Sequence, residues 1–520
     1  MAVAGWAGEE TLHGILETAA GRFPELPAVR DVDGRWTYRE LSSATRAVAD
    51  WLKQRGVRAG DRVVTRLPAS RAFTALVYGV SRVGATLVPL APTTTAHQLA
   101  PILEETEACL LIASGGLGEL PGFCRTADAA ELAAAAESVG PCGSQAAVPD
   151  RSPNPEAPRA PALIIYTSGT TSRPKGIVCP HDRVLFAARA IAQCLEYRRH
   201  DIVFCRLPLS FDYGLYQLFL CAFAGAELVL ADEGSDVTVL RQLRRCGATV
   251  VPVVPSLAAM LITLAARERT RSGADGAVRN TVRLFTNTGA KLAPHLARTL
   301  RETFPGAEVC PMYGISECKR VSILPPDQAS LRPESVGRPL PGTTVTILNP
   351  DGMAVPPRVV GEIVVDGPHV MDGYWRSPGP TARMFRTTPG VSRFRLHTGD
   401  YGYLDEEGYL YFSGRRDEIF KRRGVRMSTL EIEAAAQSVP GVRDAVVLVP
   451  LDENELPLFV TGTARPAIVL AELAARLGPQ RTPTRCMVLD TMPVTANGKA
   501  DRQALRALLD ADAPEGAQHA

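Results

Sequence analysis

At 520 residues the chain exceeds the length over which one hydrophobic core keeps growing, so more than one domain is expected. Its 57 basic and 55 acidic side chains leave a net charge of +2, which removes the electrostatic case for nucleic acid as the main partner, while 46% hydrophobic residues is ample for packed interiors. No run of eighteen or more apolar residues is present, so no membrane span is expected. The opening residues carry Glu9 and Glu10 and no long apolar core, which speaks against a secretory signal. The 11 cysteines lie scattered, without C-x-x-C pairs or histidines at zinc spacing. Reduced thiols in a cytoplasm are expected, without disulfides or a metal cage.

Apolar residues recur at helical spacing over 41–57, where Gly56 marks the end, and a strand follows over 62–67. A helix is predicted over 71–84 and a strand over 85–90. This β-α-β alternation points to a parallel sheet covered by helices on both faces. Residues 130–161 are rich in Ala, Pro, Ser and Glu and read as a helix plus a loop, leading to the apolar strand 162–165. The alternation resumes with a helix over 183–195, a strand over 202–204, a helix over 216–223 and strands over 227–230 and 248–253. From 337 to 412 short strands separated by Gly and Pro turns suggest a β-rich subdomain. A charge run over 415–423 precedes a last hundred residues that read as small and α+β, with a helix over 467–477 and a frayed tail beyond Leu509. No internal repeats are present.

The most informative stretch is Tyr166-Thr167-Ser168-Gly169-Thr170-Thr171-Ser172-Arg173-Pro174-Lys175-Gly176. Glycines let a backbone approach an anion closely, hydroxyls and free N–H groups donate to phosphate oxygens, and a lysine adds a point charge. A strand followed by such a loop reads as a phosphate cradle. It is neither the P-loop nor the dinucleotide fingerprint, because Gly169 and Gly176 are seven apart and Lys175 precedes the second. A Ser/Thr-rich surface loop without a ligand is the plain alternative.

The loop resembles the phosphate-binding signature of the adenylate-forming superfamily, which includes acyl-CoA synthetases, luciferases and the adenylation domains of nonribosomal peptide assembly. Further motifs repeat the resemblance in order. Tyr313-Gly314-Ile315-Ser316-Glu317 is similar to Y-G-x-[TS]-E, and Thr398-Gly399-Asp400 and Gly414-Arg415-Arg416-Asp417 to the T-G-D and G-R-x-D pair. Lys421, Gly424-Val425-Arg426 and Glu431-Ile432-Glu433 follow, and Pro493-Val494-Thr495-Ala496-Asn497-Gly498-Lys499 resembles P-x-T-x-N-G-K.

The resemblance implies an α/β large domain over 1–416, built of βαβ-type sheets covered by helices with a β-rich subdomain near 337–412. A small mobile α+β domain follows over 417–520, hinged at Asp417. The implied reaction is attack of a carboxylate on the α-phosphate of ATP with loss of pyrophosphate. Thr167, Ser168, Gly169, Thr170, Thr171 and Lys175 would hold the phosphates, although Ser172 stands where many members have glycine. Glu317 would bind Mg2+, a hard cation suited to a carboxylate and phosphates. Tyr313 and Phe412 would lie against the adenine, and Asp400 would accept the ribose hydroxyls with Arg415 assisting. Lys499 would stabilise the transition state, as a catalytic residue alongside Glu317 and Thr170. Lys421 and the segment after Gly424 would face the thiol donor.

Phe211-Asp212 stands where many acyl-CoA synthetases carry a histidine, and resembles the F-D of amino-acid-activating domains, in which the aspartate pairs with the substrate ammonium. A buried carboxylate needs a partner, and a zwitterion provides one; a helix cap is the alternative reading. Tyr216, Ser256, Gly289, Ala290 and Met312 complete the expected pocket. Lys319-Arg320 faces either a substrate carboxylate or the surface. No serine-centred carrier motif such as G-x-D-S is present, so transfer in trans is expected, to the phosphopantetheine of a stand-alone carrier protein. The stretch from Phe211 to Gln217 looks closest to enzymes of antibiotic-type pathways for proline or β-amino acids. The alternative is an AMP-forming acyl-CoA synthetase for a non-amino acid, with CoA as acceptor. A non-catalytic nucleotide-binding relative fits poorly with intact Glu317, Asp400 and Lys499.

Overall fold

The computed structural model describes residues 10–115, 122–138, 156–167, 174–232, 236–272, 280–387, 394–415, 418–422, 425–449, 455–495 and 500–511. Two large sheets dominate. The six-stranded sheet runs in the order Arg125–Asp128, Leu110–Ala113, Arg62–Arg66, Thr86–Leu90, Pro161–Thr167, Lys175–Pro180. All its pairings are parallel except the last, which is an antiparallel hairpin. The nine-stranded sheet has a parallel centre of Glu308–Tyr313, Leu284–Asn287, Val250–Val253, Ile202–Cys205, Glu227–Leu230 and Pro27–Arg30, with antiparallel strands at both edges. Its central strands are Val- and Leu-rich and buried throughout, as a sheet sandwiched between helices requires. One continuous core ties both sheets and their helices together.

The β-rich subdomain is a five-stranded antiparallel sheet built on the long strand Phe394–Leu404, which pairs with Gly361–Asp366, Phe385–Thr387 and Leu410–Arg415. After it come the hairpin Ile419–Arg422 with Val425–Ser428 and a three-stranded sheet of Val442–Val447, Pro457–Gly462 and Arg485–Leu489. Helices Thr429–Gln437, Pro466–Leu477 and Arg502–Ala511 cover that sheet, and this part of the chain carries two small cores of its own.

Several boundaries differ from the sequence expectation for local reasons. The helix expected from residue 41 is Tyr38–Gln54, because Thr37 and Glu40 close a capping box one turn earlier. The helix expected over 216–223 is Asp212–Ala224, and all of its residues are buried. An element apolar on every side gives no periodicity to read, so its first turn was invisible. The last helix runs to Ala511 rather than fraying at Leu509. Amphipathic helices at Val239–Cys246 and Pro294–Thr303 were not anticipated.

The capping box at Thr37 is a test of this local logic. Thr37→Ala removes the acceptor for the Glu40 N–H and is expected to cost about 1 kcal/mol, read as a lowered urea midpoint of the large domain without loss of activity.

Candidate active site

In an open parallel sheet, ligands sit beyond the carboxyl ends of the strands. Four neighbouring strands of the nine-stranded sheet deliver their carboxyl ends to one place. Ile202–Cys205 leads to Phe211 and Asp212, Val250–Val253 to Ser256, Leu284–Asn287 to Gly289 and Ala290, and Glu308–Tyr313 ends in Met312 and Tyr313. Gly289 has φ +87, and a Cβ there would meet the Phe211 ring at 3.3 Å, so the two are in contact. Met312 is buried, Ala290 half-buried and Ser256 exposed at the start of its helix.

The turn after Tyr313 is the tightest part of the site. Lys319 N–H donates to the Ile315 carbonyl at 2.7 Å and Val321 N–H to the Tyr313 carbonyl at 2.8 Å. A Cβ on Gly314 would lie 2.1 Å from the Lys319 carbonyl oxygen, so only glycine fits. Lys319 itself has φ +67, a conformation that costs a side-chain-bearing residue energy and persists only where its surroundings enforce it.

This turn sends side chains in two directions. In one direction, the Tyr313 hydroxyl donates to Asp400 Oδ2 at 2.6 Å, and the Tyr313 ring stacks on Phe412 with centroids 5.3 Å apart. Arg415 Nε lies 3.4 Å from Asp400 Oδ1. Burial pushes the Asp400 carboxyl up to about 6, against the pull of Arg415 and the Tyr313 hydroxyl. Glu317 is half-buried and accepts from the Tyr374 hydroxyl at 2.6 Å. Lys175 Nζ lies 5.4 Å from the centroid of the same Tyr374 ring, so Glu317 and Lys175 converge on Tyr374. Thr167 pairs with Lys175 across the hairpin. Sequence reasoning missed Tyr374; nothing but Gly373, at φ +93, marks its neighbourhood.

In the other direction, Asp212 is 5% exposed and sits in the first turn of its helix, whose N-cap is Phe211. Its ionic partner in the structure is Lys319, with Nζ 3.6 Å from Oδ2, a pairing that the sequence did not suggest. Lys319 and Arg320 are buried, not on the surface. Burial works against the Lys319 ammonium, and the charge of Asp212 helps to hold it above the ordinary lysine value. The neighbouring Cys179 thiol is pushed up by burial and stays neutral, so it offers no counter-charge. Arg320 packs its guanidinium 4.8 Å from the Tyr213 ring and donates to the Lys319 carbonyl at 2.8 Å. Among the described residues, Lys319 Nζ, Arg320 Nε and the Tyr216 hydroxyl have no hydrogen-bond partner although all are buried.

Ser168, Gly169, Thr170, Thr171, Ser172, Asp417, Gly424 and Lys499 lie outside the described residues, as do the side chains of Lys421, Val425 and Arg426. Among the described residues no cluster of three or more His, Cys, Asp or Glu could cage a metal, and no helix is long and apolar enough to cross a membrane.

The fold and this arrangement of motifs define an adenylate-forming enzyme. Residues 16–375 match the AMP-binding enzyme family, and the chain belongs to it. The crystal structure of VinN in complex with L-aspartate is 40% identical with a TM-score of 0.66, over 78% of this chain and 100% of that one. ATP-bound MatB from Rhodopseudomonas palustris is 25% identical with a TM-score of 0.81, over 95% of this chain and 98% of that one. Phosphinothricin tripeptide synthetase PhsC of Streptomyces viridochromogenes is 33% identical, over 95% of this chain and 45% of that protein. The chain spans less than half the length of the curated relatives it matches.

Asp400 gives a pH test of the nucleotide side. An ionised carboxylate can accept from both hydroxyls of a ribose, whereas a protonated one loses acceptor capacity. The KM for ATP is therefore expected to rise as pH falls through about 6, and a KM profile between about pH 5 and 8 in Asp400→Asn should lack that inflection.

Proposed function

We propose that the protein activates an amino acid carrying a second carboxylate as its acyl-AMP, then passes it to the phosphopantetheine thiol of a discrete carrier protein. The observation that carries this reading is the buried group Asp212, Lys319 and Arg320, in which Asp212 is ion-paired with Lys319 and also feels the charge of Arg320, while Arg320 Nε and the Tyr216 hydroxyl have no hydrogen-bond partner. Uncompensated buried charge costs several kcal/mol, so the group favours a ligand that completes it. With the carboxylate that reacts with ATP set aside, a dicarboxylic amino acid offers one ammonium for Asp212 and one carboxylate for Lys319, Arg320 and the Tyr216 hydroxyl. A plain fatty acid offers neither. The likeness to VinN, solved with L-aspartate, supports the same class.

In this reading Thr167, Ser168, Gly169, Thr170, Thr171 and Lys175 hold the ATP phosphates, Tyr313 and Phe412 the adenine, and Asp400 with Arg415 the ribose. Phe211, Ser256, Gly289, Ala290 and Met312 shape the acid pocket. Mg2+ is typically bound by one or two carboxylates together with substrate phosphates, which suits a lone Glu317 held by Tyr374. The ion would neutralise charge on the phosphates. Lys499 is the catalytic cation for adenylation, brought in by the small domain over 417–520 as it turns about Asp417 and withdrawn for thioester formation. A cytoplasmic location, with access to ATP and carrier, belongs to the proposal.

ATP–pyrophosphate exchange over aspartate, glutamate, their amides, β-alanine, succinate and fatty acids tests the substrate class. Aspartate-like acids are expected to lead. Asp212→Asn and Lys319→Met should each lower kcat/KM for the best acid by about two to three decades while ATP binding persists. Equal turnover of asparagine would sink the second carboxylate, and preferred turnover of a fatty acid would move the chain to the acyl-CoA synthetases.

Lys499→Ala separates the two half-reactions. Adenylation should fall by roughly 10²–10³-fold, and thioester formation from supplied acyl-adenylate should survive. Equal loss of both would refute the domain alternation.

A further inference from the structure

A line of hydrogen bonds and ion pairs leaves the nucleotide side of the site and runs into the last helix. Arg415, beside Asp400, donates its backbone N–H to Glu418 Oε2 at 3.2 Å, and Glu418 returns its own N–H to the Arg415 carbonyl at 3.0 Å. The other oxygen, Glu418 Oε1, lies 3.4 Å from Arg502 Nη2. The same guanidinium reaches Glu433 Oε1 at 3.1 Å and donates through Nη1 to the Val447 carbonyl at 2.5 Å. Glu433 is buried and also accepts the Val447 N–H at 2.8 Å. Arg502 opens the helix Arg502–Ala511, three positions beyond Lys499.

Two features set this line apart from surface charge pairing. Arg502 uses the planar fork of arginine on two carboxylates and a carbonyl at once, a geometry no lysine reproduces. Glu433 has a structural purpose, because its carboxyl is buried against the small domain's own sheet. Glu418 does not. Its side chain is 20% exposed and that of Arg502 32%, and a pair so exposed contributes little to folding. What Glu418 does have is position: one oxygen is held by the end of the strand Leu410–Arg415, the other by the helix behind Lys499.

We propose that Glu418 and Arg502 form a latch across the junction between Arg415 and residue 418, and so act as positioning residues for the adenylation step. The proposal rests on the reading that Lys499 serves adenylation from a small domain that turns at residue 417. Rotation there moves the two anchors of Glu418 apart, so the latch belongs to one arrangement of the domains and is released in the other. It registers the helix that follows Lys499 against the strand that bears the ribose-side Arg415.

The test uses exchange kinetics with whichever acid gives the fastest turnover in the parent enzyme. Glu418→Gln leaves the Arg502–Glu433 pair in place and keeps the small-domain core intact. Arg502→Lys keeps the charge and loses the fork. Each is expected to lower kcat for exchange by about tenfold or more, with KM for ATP and acid changed by no more than about twofold. The double variant should be no slower than the slower single, because the Glu418–Arg502 contact is already lost in each. Unchanged kcat in Glu418→Gln, or losses that multiply in the double variant, would overturn the latch. Lys499→Ala separates this from the parent reading. Loss of exchange there with normal Glu418→Gln overturns the latch alone, whereas unimpaired exchange in Lys499→Ala overturns both.

Discussion

The site depends on one backbone constraint, the passage of the Lys319 carbonyl over Gly314. Seven consecutive residues, Tyr313 to Lys319, fold into a turn so tight that a single Cβ at Gly314 would block it. Because of that turn, the ring that stacks on Phe412, the carboxylate held by Tyr374 and the ammonium beside Asp212 all come from one short segment. The positive φ at Lys319 is the local cost, and it is what aims Lys319 inward rather than to solvent. The contacts with Asp400 and Phe412 and the contact with Asp212 therefore leave from opposite ends of the same turn.

The second organising element is the hairpin Pro161–Thr167 with Lys175–Pro180, the only antiparallel pairing of its sheet among the described residues. Its returning strand is pinned to the segment around Tyr374 by the Gly176 carbonyl, which accepts the Trp375 N–H at 2.7 Å, and by a bridge between Ile177 and Tyr374. Sheet, the Lys175 end of the hairpin and the Tyr374–Glu317 bond are thereby one assembly. The parallel strands of the other sheet deliver Asp212, Gly289 and Met312 at their carboxyl ends.

Much of this was legible in the sequence, and the exceptions have physical causes. The alternation of strands and helices announced the parallel sheets, and the ordered motifs announced the family. Tyr313, Asp400, Phe412 and Arg415 come together because Tyr313 ends the strand Glu308–Tyr313 and the other three lie on the paired strands Phe394–Leu404 and Leu410–Arg415. The internal partner of Asp212 was not legible, since Lys319 lies far along the chain and its inward aim depends on a turn conformation that residue types do not announce. Lys319 and Arg320 were equally compatible with a surface position, as charged pairs after a turn usually are. Tyr374 escaped because a single tyrosine in an irregular segment carries no periodic signal. Glu418 and Arg502 escaped for another reason: each looks like an ordinary surface charge until the fold sets them side by side.

The helix Asp212–Ala224 carries Asp212 and Tyr216 on an element with no solvent face, where even Gly214 is required by the Pro208 carbonyl, which a Cβ would approach to 2.4 Å. Natural drift at an exposed pocket wall changes taste for a substrate without touching the scaffold. Here the two are inseparable, because every side chain on this helix, Asp212 and Tyr216 included, is also packing for the core. Lineages of this enzyme that take up new acids are then expected to do so through compensating pairs of changes, one in the pocket and one behind it, and to keep the old helix register throughout.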